Sequence, residues 1–383
     1  MSEAQEPIIN HYLRQMLSLG GSDLHLSVNY PAKARIHGSI QPLDDVIIDE
    51  DMMRQIMQEI CLPAKRWDHF MKTHDLDFAH EIPGLARFRC NYLYNYHGMG
   101  CVLRQIPSKI LTMEDLHLPE VLKEICQLKQ GLVLVTGPTG SGKSTTLAAM
   151  IDYINDNFSK HIITIEDPIE FVHQNKMCTL VHREVGIHSH SFPKALRGAM
   201  RSDPDIVLIG EMRDNETIKL GLTCASMGML VFGTLHTNNA PKTVDRVIDA
   251  FPADEQDQIR TMLAECLQAI VSQLLCRKKG GGRVAVHEIL LWSDGLPNTI
   301  REGQIANIRT IIDAGGGRGM QSMDNSIQKQ LDADNITALE AYMKASDKGR
   351  FVKQMEAERE AEEAAARAKA EAEAAAAAGA NQG

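Results

Sequence analysis

The run Gly137-Pro-Thr-Gly-Ser-Gly-Lys-Ser144 has the composition and spacing of a phosphate-binding loop, G-x-x-x-x-G-K-[ST]. Its glycines let the backbone curl so that N–H groups point inward at phosphate oxygens. A helix that follows adds its positive N-terminal end. Lys143 is placed to reach the β- and γ-phosphates of a nucleotide, and the Ser144 hydroxyl to ligate Mg²⁺. Gly137, Thr139, Gly140, Ser141, Gly142, Lys143, Ser144 and Thr145 are therefore the candidate nucleotide-binding residues. A strand-sized apolar run at 132–136 precedes the loop and a helical pattern at 145–152 follows it. That context separates a phosphate loop from a chance glycine-rich turn, and it points to a nucleoside triphosphate.

Other groups narrow the chemistry. A guanine-reading N-K-x-D would select GTP, but the nearest match, Asn175-Lys-Met-Cys178, lacks the acid. The strand-like run 162–165 ends in Glu166, Asp167 and Glu170, and the run 206–209 ends in Glu211 after a glycine. The second is the layout by which a buried strand delivers an acid to Mg²⁺ or its water. Ligands of open α/β sheets sit at the carboxyl ends of strands, so these acids are expected near the phosphate loop. His182, His188 and His190 have no Cys or acid constellation around them, and they read as a solvated loop rather than a metal site.

The elements that must position these groups follow from periodicity. Four short apolar runs, 132–136, 162–165, 206–209 and 230–234, are separated by helix-length sequence. This predicts parallel strands covered by helices from about 111 to 352. Ile259, Met262, Leu263, Cys266, Leu267, Ile270, Val271, Leu274 and Leu275 recur at helical spacing and read as one core-facing helix. Before residue 107 the pattern is α+β. Residues 32–38 read as a strand entering a turn, 86–92 alternate at period two, and 51–59 are helical. Pro107 marks a linker. Residues 278–283 read as a hairpin turn with charged flanks, and 314–319 as a flexible connection. From 351 the chain is rich in Ala, Glu, Lys and Arg without a large apolar face, which predicts a solvated, frayed helical extension. The expected division is thus 1–107, 108–350 and 351–383.

Composition limits the classes of function. The 383 residues hold 40 Lys and Arg against 50 Asp and Glu, for a net charge of −10, so the chain is not built as an electrostatic nucleic-acid binder. A hydrophobic content of 44% supports a real core. No apolar run approaches the roughly 20 residues of a membrane-spanning helix. The start MSEAQEPIIN has neither the basic nor the apolar region of a signal peptide. None of the eight cysteines forms a C-x-x-C pair, and they read as reduced core residues. The expectation is a soluble intracellular protein.

Taken together, the motifs resemble the secretion-ATPase superfamily of hexameric motors, and within it the PilT-type retraction ATPases of type IV pili. The resemblance rests on Gly20-Gly-Ser-Asp-Leu-His-Leu26, the phosphate loop, the acidic box 163–173, and Ser202-Asp-Pro-Asp-Ile-Val-Leu-Ile-Gly-Glu-Met-Arg-Asp214. It continues through Gly233-Thr-Leu-His-Thr237, 242–249 and 280–288, and spans 8–346. The assembly branch usually carries a tetracysteine zinc site and a further N-terminal domain, which this spacing of cysteines and this short N-terminal region do not match. The resemblance implies a PAS-like α+β domain followed by a RecA-like P-loop ATPase domain, assembled as a homohexamer with ATP and Mg²⁺. It implies Glu170 as the acid that activates the attacking water, Glu211 as the Walker B acid near the metal, and His236 as the γ-phosphate sensor. An arginine would neutralise the transition state across a boundary, from Arg87, Arg89 and Arg104 of the N-terminal domain or Arg201, Arg213 and Arg246 of the core. The implied partners are an inner-membrane pilus platform protein and other pilus ATPases. The implied location is cytoplasmic, peripheral to the inner membrane at the pilus base, with no nucleic acid and no membrane insertion.

Three positions depart from the family pattern. Met229 stands where the first histidine of the His box is expected, and His97 where the N-terminal finger region often has arginine. The segment Gly295-Leu-Pro-Asn-Thr-Ile-Arg-Glu302 keeps only the second half of the retraction-linked A-I-R-N-L-I-R-E. An accessory PilU-like ATPase and a non-catalytic ATP-binding scaffold are the alternative readings.

Overall fold

Period-two alternation builds the N-terminal unit. The computed structural model describes residues 6–106 and 109–380, with side chains to 368, so the linker expected at Pro107 lies outside the described residues. The chain divides into two compact units, Met1–Ile110 with Ile165–Gln174 and His182–His190, and Leu111–Thr164 with Asn175–Val181 and Ser191–Gly383. The first contains α1 (Ile8–Ser18), β1 (Gly21–Ser27), β2 (Pro31–Ile36), β3 (Ser39–Ile47), α2 (Glu50–Ile60), α3 (Lys65–Thr73), β4 (Asp75–Ile82), β5 (Ala86–Asn95) and β6 (Gly98–Ile106). Its six strands form an antiparallel sheet in the order β3-β2-β1-β6-β5-β4. On β5, Ala86, Phe88, Cys90 and Tyr92 are buried, and the residues between them, Arg87 and Arg89 included, take the other face. Ile9, Leu13 and Met16 of α1, Met53 and Ile56 of α2, and Phe70 of α3 close the core over Leu24, Phe78, Phe88 and Tyr92. This is the α+β arrangement that the alternation predicts.

The second unit carries a seven-stranded sheet. Its elements run α4 (Val121–Cys126), β7 (Gly131–Thr136), α5 (Lys143–Asn157), β8 (His161–Glu166), β9 (Thr179–Glu184), α6 (Phe192–Ala199), β10 (Ile206–Ile209), α7 (Asn215–Ser226), β11 (Leu230–Leu235) and α8 (Ala240–Asp249). They continue through α9 (Ala253–Cys266), β12 (Leu267–Arg277), β13 (Arg283–Leu291), α10 (Leu296–Arg301), α11 (Ile308–Ala314), α12 (Met323–Asp332), α13 (Ala338–Lys344) and α14 (Val352–Ala380). The sheet order is β13-β12-β7-β11-β10-β8-β9. β12, β7, β11 and β10 run parallel, and β13 is antiparallel at the edge. The four expected strands are β7, β8, β10 and β11, and Leu132, Val133, Leu134 and Val135 of β7 are wholly inaccessible. All eight cysteines are buried and unpaired. Among the described residues no helix is long and apolar enough to cross a membrane.

Three expectations are corrected. The stripe 259–275 is not one helix: α9 ends at Cys266 and Ile270, Val271, Leu274 and Leu275 belong to β12. β12 lies between β7 and β13, and its Ala269–Gln273 stretch is buried at every position. A strand covered on both faces carries apolar residues at consecutive positions, which a helical pattern matches equally well. The 314–319 connection is an ordered 3₁₀ turn at Gly316–Arg318. A Cβ on Gly319 would lie 2.8 Å from Val121 Cγ2, and one on Gly315 would lie 2.4 Å from Met320 Sδ, so these glycines serve close packing. The C-terminal stretch begins docked: Phe351 is fully buried with Cys276, Val286, Met323, Ile327 and Ile336. Glu358 Oε2 accepts the N–H groups of Ala338 (2.6 Å) and Leu339 (3.2 Å). One aromatic and one carboxylate anchor α14, and residues 361–368 are exposed. Phe351→Ala is expected to cost about 3–5 kcal/mol, read as a lowered Tm by calorimetry, whereas Ala366→Ser on the exposed turns should leave Tm unchanged.

Candidate active site

The chain leaves β7 through glycines in conformations that side chains avoid. Gly137, Gly140 and Gly142 have φ of +147°, +78° and +86°, and α5 begins at Lys143. A Cβ on Gly137 would lie 2.3 Å from the carbonyl oxygen of Gln273 and 2.5 Å from Ser141 Oγ, so no larger residue fits. Gly140, by contrast, faces open space, with nothing within 4 Å of its Cβ position. The buried Lys143 donates from Nζ to the carbonyls of Gly137 (2.8 Å) and Pro138 (3.2 Å), across the loop. Ser144 and Thr145 are half-buried in the first turn of α5, ahead of the first intrahelical bond from Thr146 N–H to Gly142 O (3.0 Å). Ser141 Oγ is buried with no hydrogen-bond partner. A curled backbone, one lysine across its mouth and an orphaned hydroxyl fit a phosphate chain.

Glu211 follows β10, and Thr234 of β11 fixes it from both sides. The Thr234 hydroxyl donates to Gly210 O (2.5 Å), and Thr234 O accepts from Met212 N–H (3.0 Å). The Glu211 carboxylate meets His236 Nε2 at 2.9 Å and Arg213 Nε at 2.5 Å. Burial alone would raise its pKa, but the bond and charge of Arg213, with His236 behind them, outweigh that and hold it below the usual range. Glu211 is therefore ionised at neutral pH, as a ligand of a cation or its water must be. β7, β11 and β10 are parallel neighbours, so the phosphate loop, His236 and Glu211 all leave the same edge of the sheet.

The N-terminal unit holds the remaining candidates. Arg89 lies 3.8 Å from both Asp77 and Glu170. Arg104, opposite Asp23 in the β1–β6 register, bonds it at 2.6 Å and stays largely exposed. Burial pushes the Asp23 carboxyl up, while bonds from Ser22 and Arg104 pull it further down, to below its ordinary value. In the sequence Glu184 is only a lone acid among the histidines of 182–190, too little for a metal site. It is 3% exposed, binds Arg66 (3.0 Å) and Arg87 (3.4 Å), and accepts the N–H of Ile169 (3.2 Å), next to Glu170. Glu166 Oε2 accepts the N–H of Glu170 itself (3.3 Å). The structure thus brings Glu211 to His236 in one unit and Glu170 to Arg89 in the other, and gives Arg104 to Asp23.

Of the three histidines read as a solvated loop, His188 and His190 are exposed, and only His182 is part-buried. Burial lowers the pKa of His182, whose neutral ring accepts the N–H of His173 (3.2 Å), and His188 Nδ1 accepts the N–H of Glu184 (2.9 Å). Both rings shape backbone around the Glu184 cluster. Of the family departures, Met229 is 8% exposed and its carbonyl accepts Gly131 N–H (3.0 Å), so that position packs and pairs β7. His97 Nε2 lies 3.3 Å from the Tyr30 hydroxyl. Pro297 sits in the first turn of α10, where its missing N–H removes no helical bond.

Residues 2–329 match the family described as type II/IV secretion system protein. The chain is 50% identical to the type IV pilus retraction ATPase PilT of Pseudomonas aeruginosa over 305 residues, covering 80% of this chain and 88% of that one. It is 38% identical to the type IV pilus ATPase PilU of the same organism over 326 residues, covering 85% of each. Its fold superposes on a crystal structure of the pilus retraction motor PilT with bound ADP, with a TM-score of 0.82 and 40% identity over 89% of this chain and 98% of the other.

The two glycine environments give separable outcomes. Gly137→Ala drives a Cβ into main-chain and hydroxyl oxygens and is expected to weaken ADP binding more than tenfold in calorimetric titration. Gly140→Ala meets no atom and bears only the left-handed strain of about 1–2 kcal/mol, so its loss should be much smaller.

Proposed function

Because the chain belongs to the type II/IV secretion system protein family and, within it, to the PilT-type retraction ATPases, we propose that it is a hexameric ATP-hydrolysing motor that retracts a type IV pilus and so drives twitching motility. The observation that carries this reading is the convergence of the phosphate loop, Glu211 and His236 at the ends of three neighbouring parallel strands, β7, β10 and β11. In this reading Gly137, Thr139, Gly140, Ser141, Gly142 and Thr145 wrap the phosphates and Lys143 holds the β- and γ-groups. Mg²⁺, held by the Ser144 hydroxyl and by Glu211 through water, supplies charge neutralisation at the phosphates when bound. Glu170 takes the proton of the attacking water. His236, bonded to Glu211, reports the state of the γ-phosphate. An arginine, Arg89 or Arg104, completes the site from another part of the ring and stabilises the charge that develops in transfer.

The ring works at the cytoplasmic side of the inner membrane, against a pilus platform protein and beside other pilus ATPases, without nucleic acid or insertion into the bilayer. The greater identity to PilT than to PilU favours the principal retraction motor over the accessory one. An ionised Glu211 beside His236 favours a working enzyme over a nucleotide-binding scaffold.

The purified protein is expected to hydrolyse ATP in Mg²⁺. Lys143→Ala should abolish nucleotide binding, and Glu170→Gln should lower kcat by about 100-fold or more with binding kept, as for loss of a general base. In cells, deletion should leave excess surface pili and no twitching, restored by the intact gene. Wild-type turnover no faster than that of Glu170→Gln would give the scaffold reading instead, and a strain without pili would reverse the direction assigned.

A further inference from the structure

Directly beneath the phosphate loop lies a buried amide that the motif does not include. Gln273 of β12 and His287 of β13 are each 2% exposed and are register partners, so they share one face of the sheet. Gln273 Nε2 donates to Ser141 O at 2.7 Å. Its Oε1 accepts from the Thr146 hydroxyl at 2.7 Å and meets His287 Nε2 at 3.1 Å. The chemistry of the partners fixes the amide's orientation. Ser141 O can only accept, so the NH₂ end must face it, and the oxygen is left for Thr146 and His287. Full burial lowers the His287 pKa to about 4, so the ring is neutral and carries its one N–H on Nε2.

We propose that Gln273, oriented by His287, is the positioning residue that sets the nucleotide-binding shape of the phosphate loop. One amide ties the limb of the loop before Gly142 to the first turn of α5 after Ser144, and so fixes both sides of Lys143. Two of the loop's three glycines, Gly137 and Gly142, conform to the same residue. The Gln273 carbonyl fills the space where a Cβ of Gly137 would lie, and its Nε2 would stand 2.9 Å from a Cβ of Gly142. The need for glycine at 137 and 142 thus has its physical cause in what β12 places under the loop. Gln273 acts through the backbone of Ser141, and His287 acts through Gln273. The proposal rests on the reading of 137–145 as a nucleotide site.

The test uses the full-length protein, calorimetric titration with ADP in Mg²⁺, and steady-state ATPase. Gln273→Met keeps the volume and removes all three side-chain bonds. It is expected to raise the ADP Kd and the KM for ATP about tenfold while kcat changes less than threefold and Tm moves by only a few degrees. Gln273→Glu, of the same shape, sets an oxygen against Ser141 O and should lose more, which keeps the test decisive if the methionine variant folds poorly. His287→Leu should weaken binding, His287→Gln should restore it by returning a donor, and Gln273→Met with His287→Leu should be no worse than Gln273→Met alone. Wild-type ADP affinity in both Gln273 variants, or additive losses in the double variant, would overturn the proposal. Failure of the wild-type chain itself to bind ADP would overturn the nucleotide reading with it.

Discussion

The main chain leaves β7 at Gly137 with no room for a side chain, and the chemistry of the larger unit is arranged around that departure. The constraint arises because β7 is central, with β11 on one side and β12 on the other, so its end is crowded by neighbouring backbone rather than by solvent. A loop that curls there has only its inner N–H groups and one lysine to offer, and those suit phosphate oxygens. The parallel neighbours contribute through the same geometry. Because β10 and β11 end at the edge where β7 ends, Glu211 and His236 reach one another without any long loop. Thr234 then sets their separation by bonding the backbone on both sides of the acid.

Buried charge organises the smaller unit in a different way. Glu184 has Arg66, Arg87 and the Ile169 amide as partners, all in a setting with little water. Removing one member of such a group leaves an uncompensated charge, so its cost is high even where the net value of the intact group is small. The cluster therefore fixes the backbone beside Glu170 more firmly than a surface ion pair would. Its carboxylate also accepts the amide N–H of Ile169, which ties the ion pairs to the backbone.

Much of this was legible in the sequence, and the omissions share a cause. The loop, β7, β8, β10, β11 and the alternating β5 announce themselves because their signals lie within a few consecutive residues. β12 reads as helix because burial on both faces erases the alternation that marks a strand. The burial of Glu184 is not legible because its arginines come from 118 and 97 residues away, and nothing local distinguishes a glutamate that will be buried from one that will be solvated. The burial of Phe351 is hidden because it opens a stretch whose composition is otherwise that of a solvated helix. In each case the missing information was a neighbour distant in sequence. Gly137 and Gly142 are the instructive exception: their place in the motif is readable, yet the Gln273 atoms that crowd them are not.

The environment of each N-terminal arginine ranks those that the sequence offered as equals. Arg87 is bound to a carboxylate that is itself almost wholly buried, and to release it would leave Glu184 with one cationic partner fewer in a place water hardly reaches. Arg104 is 70% exposed, but Asp23 at its tip is buried and retains Ser22 and, at 4.0 Å, Arg35 if the arginine swings away. Arg89 is held most loosely, 42% exposed and 3.8 Å from two carboxylates that are themselves part-exposed. Pairs of that kind contribute at most about 1 kcal/mol, less than a polyphosphate would return to a guanidinium in a drier setting. An arginine that must exchange a resting partner for a transition state should be bound weakly enough to leave and near enough to the reacting groups to matter. In the proposed mechanism Arg89, 3.8 Å from Glu170, meets both conditions and Arg104 the first at some cost, while Arg87 is bound to the buried Glu184.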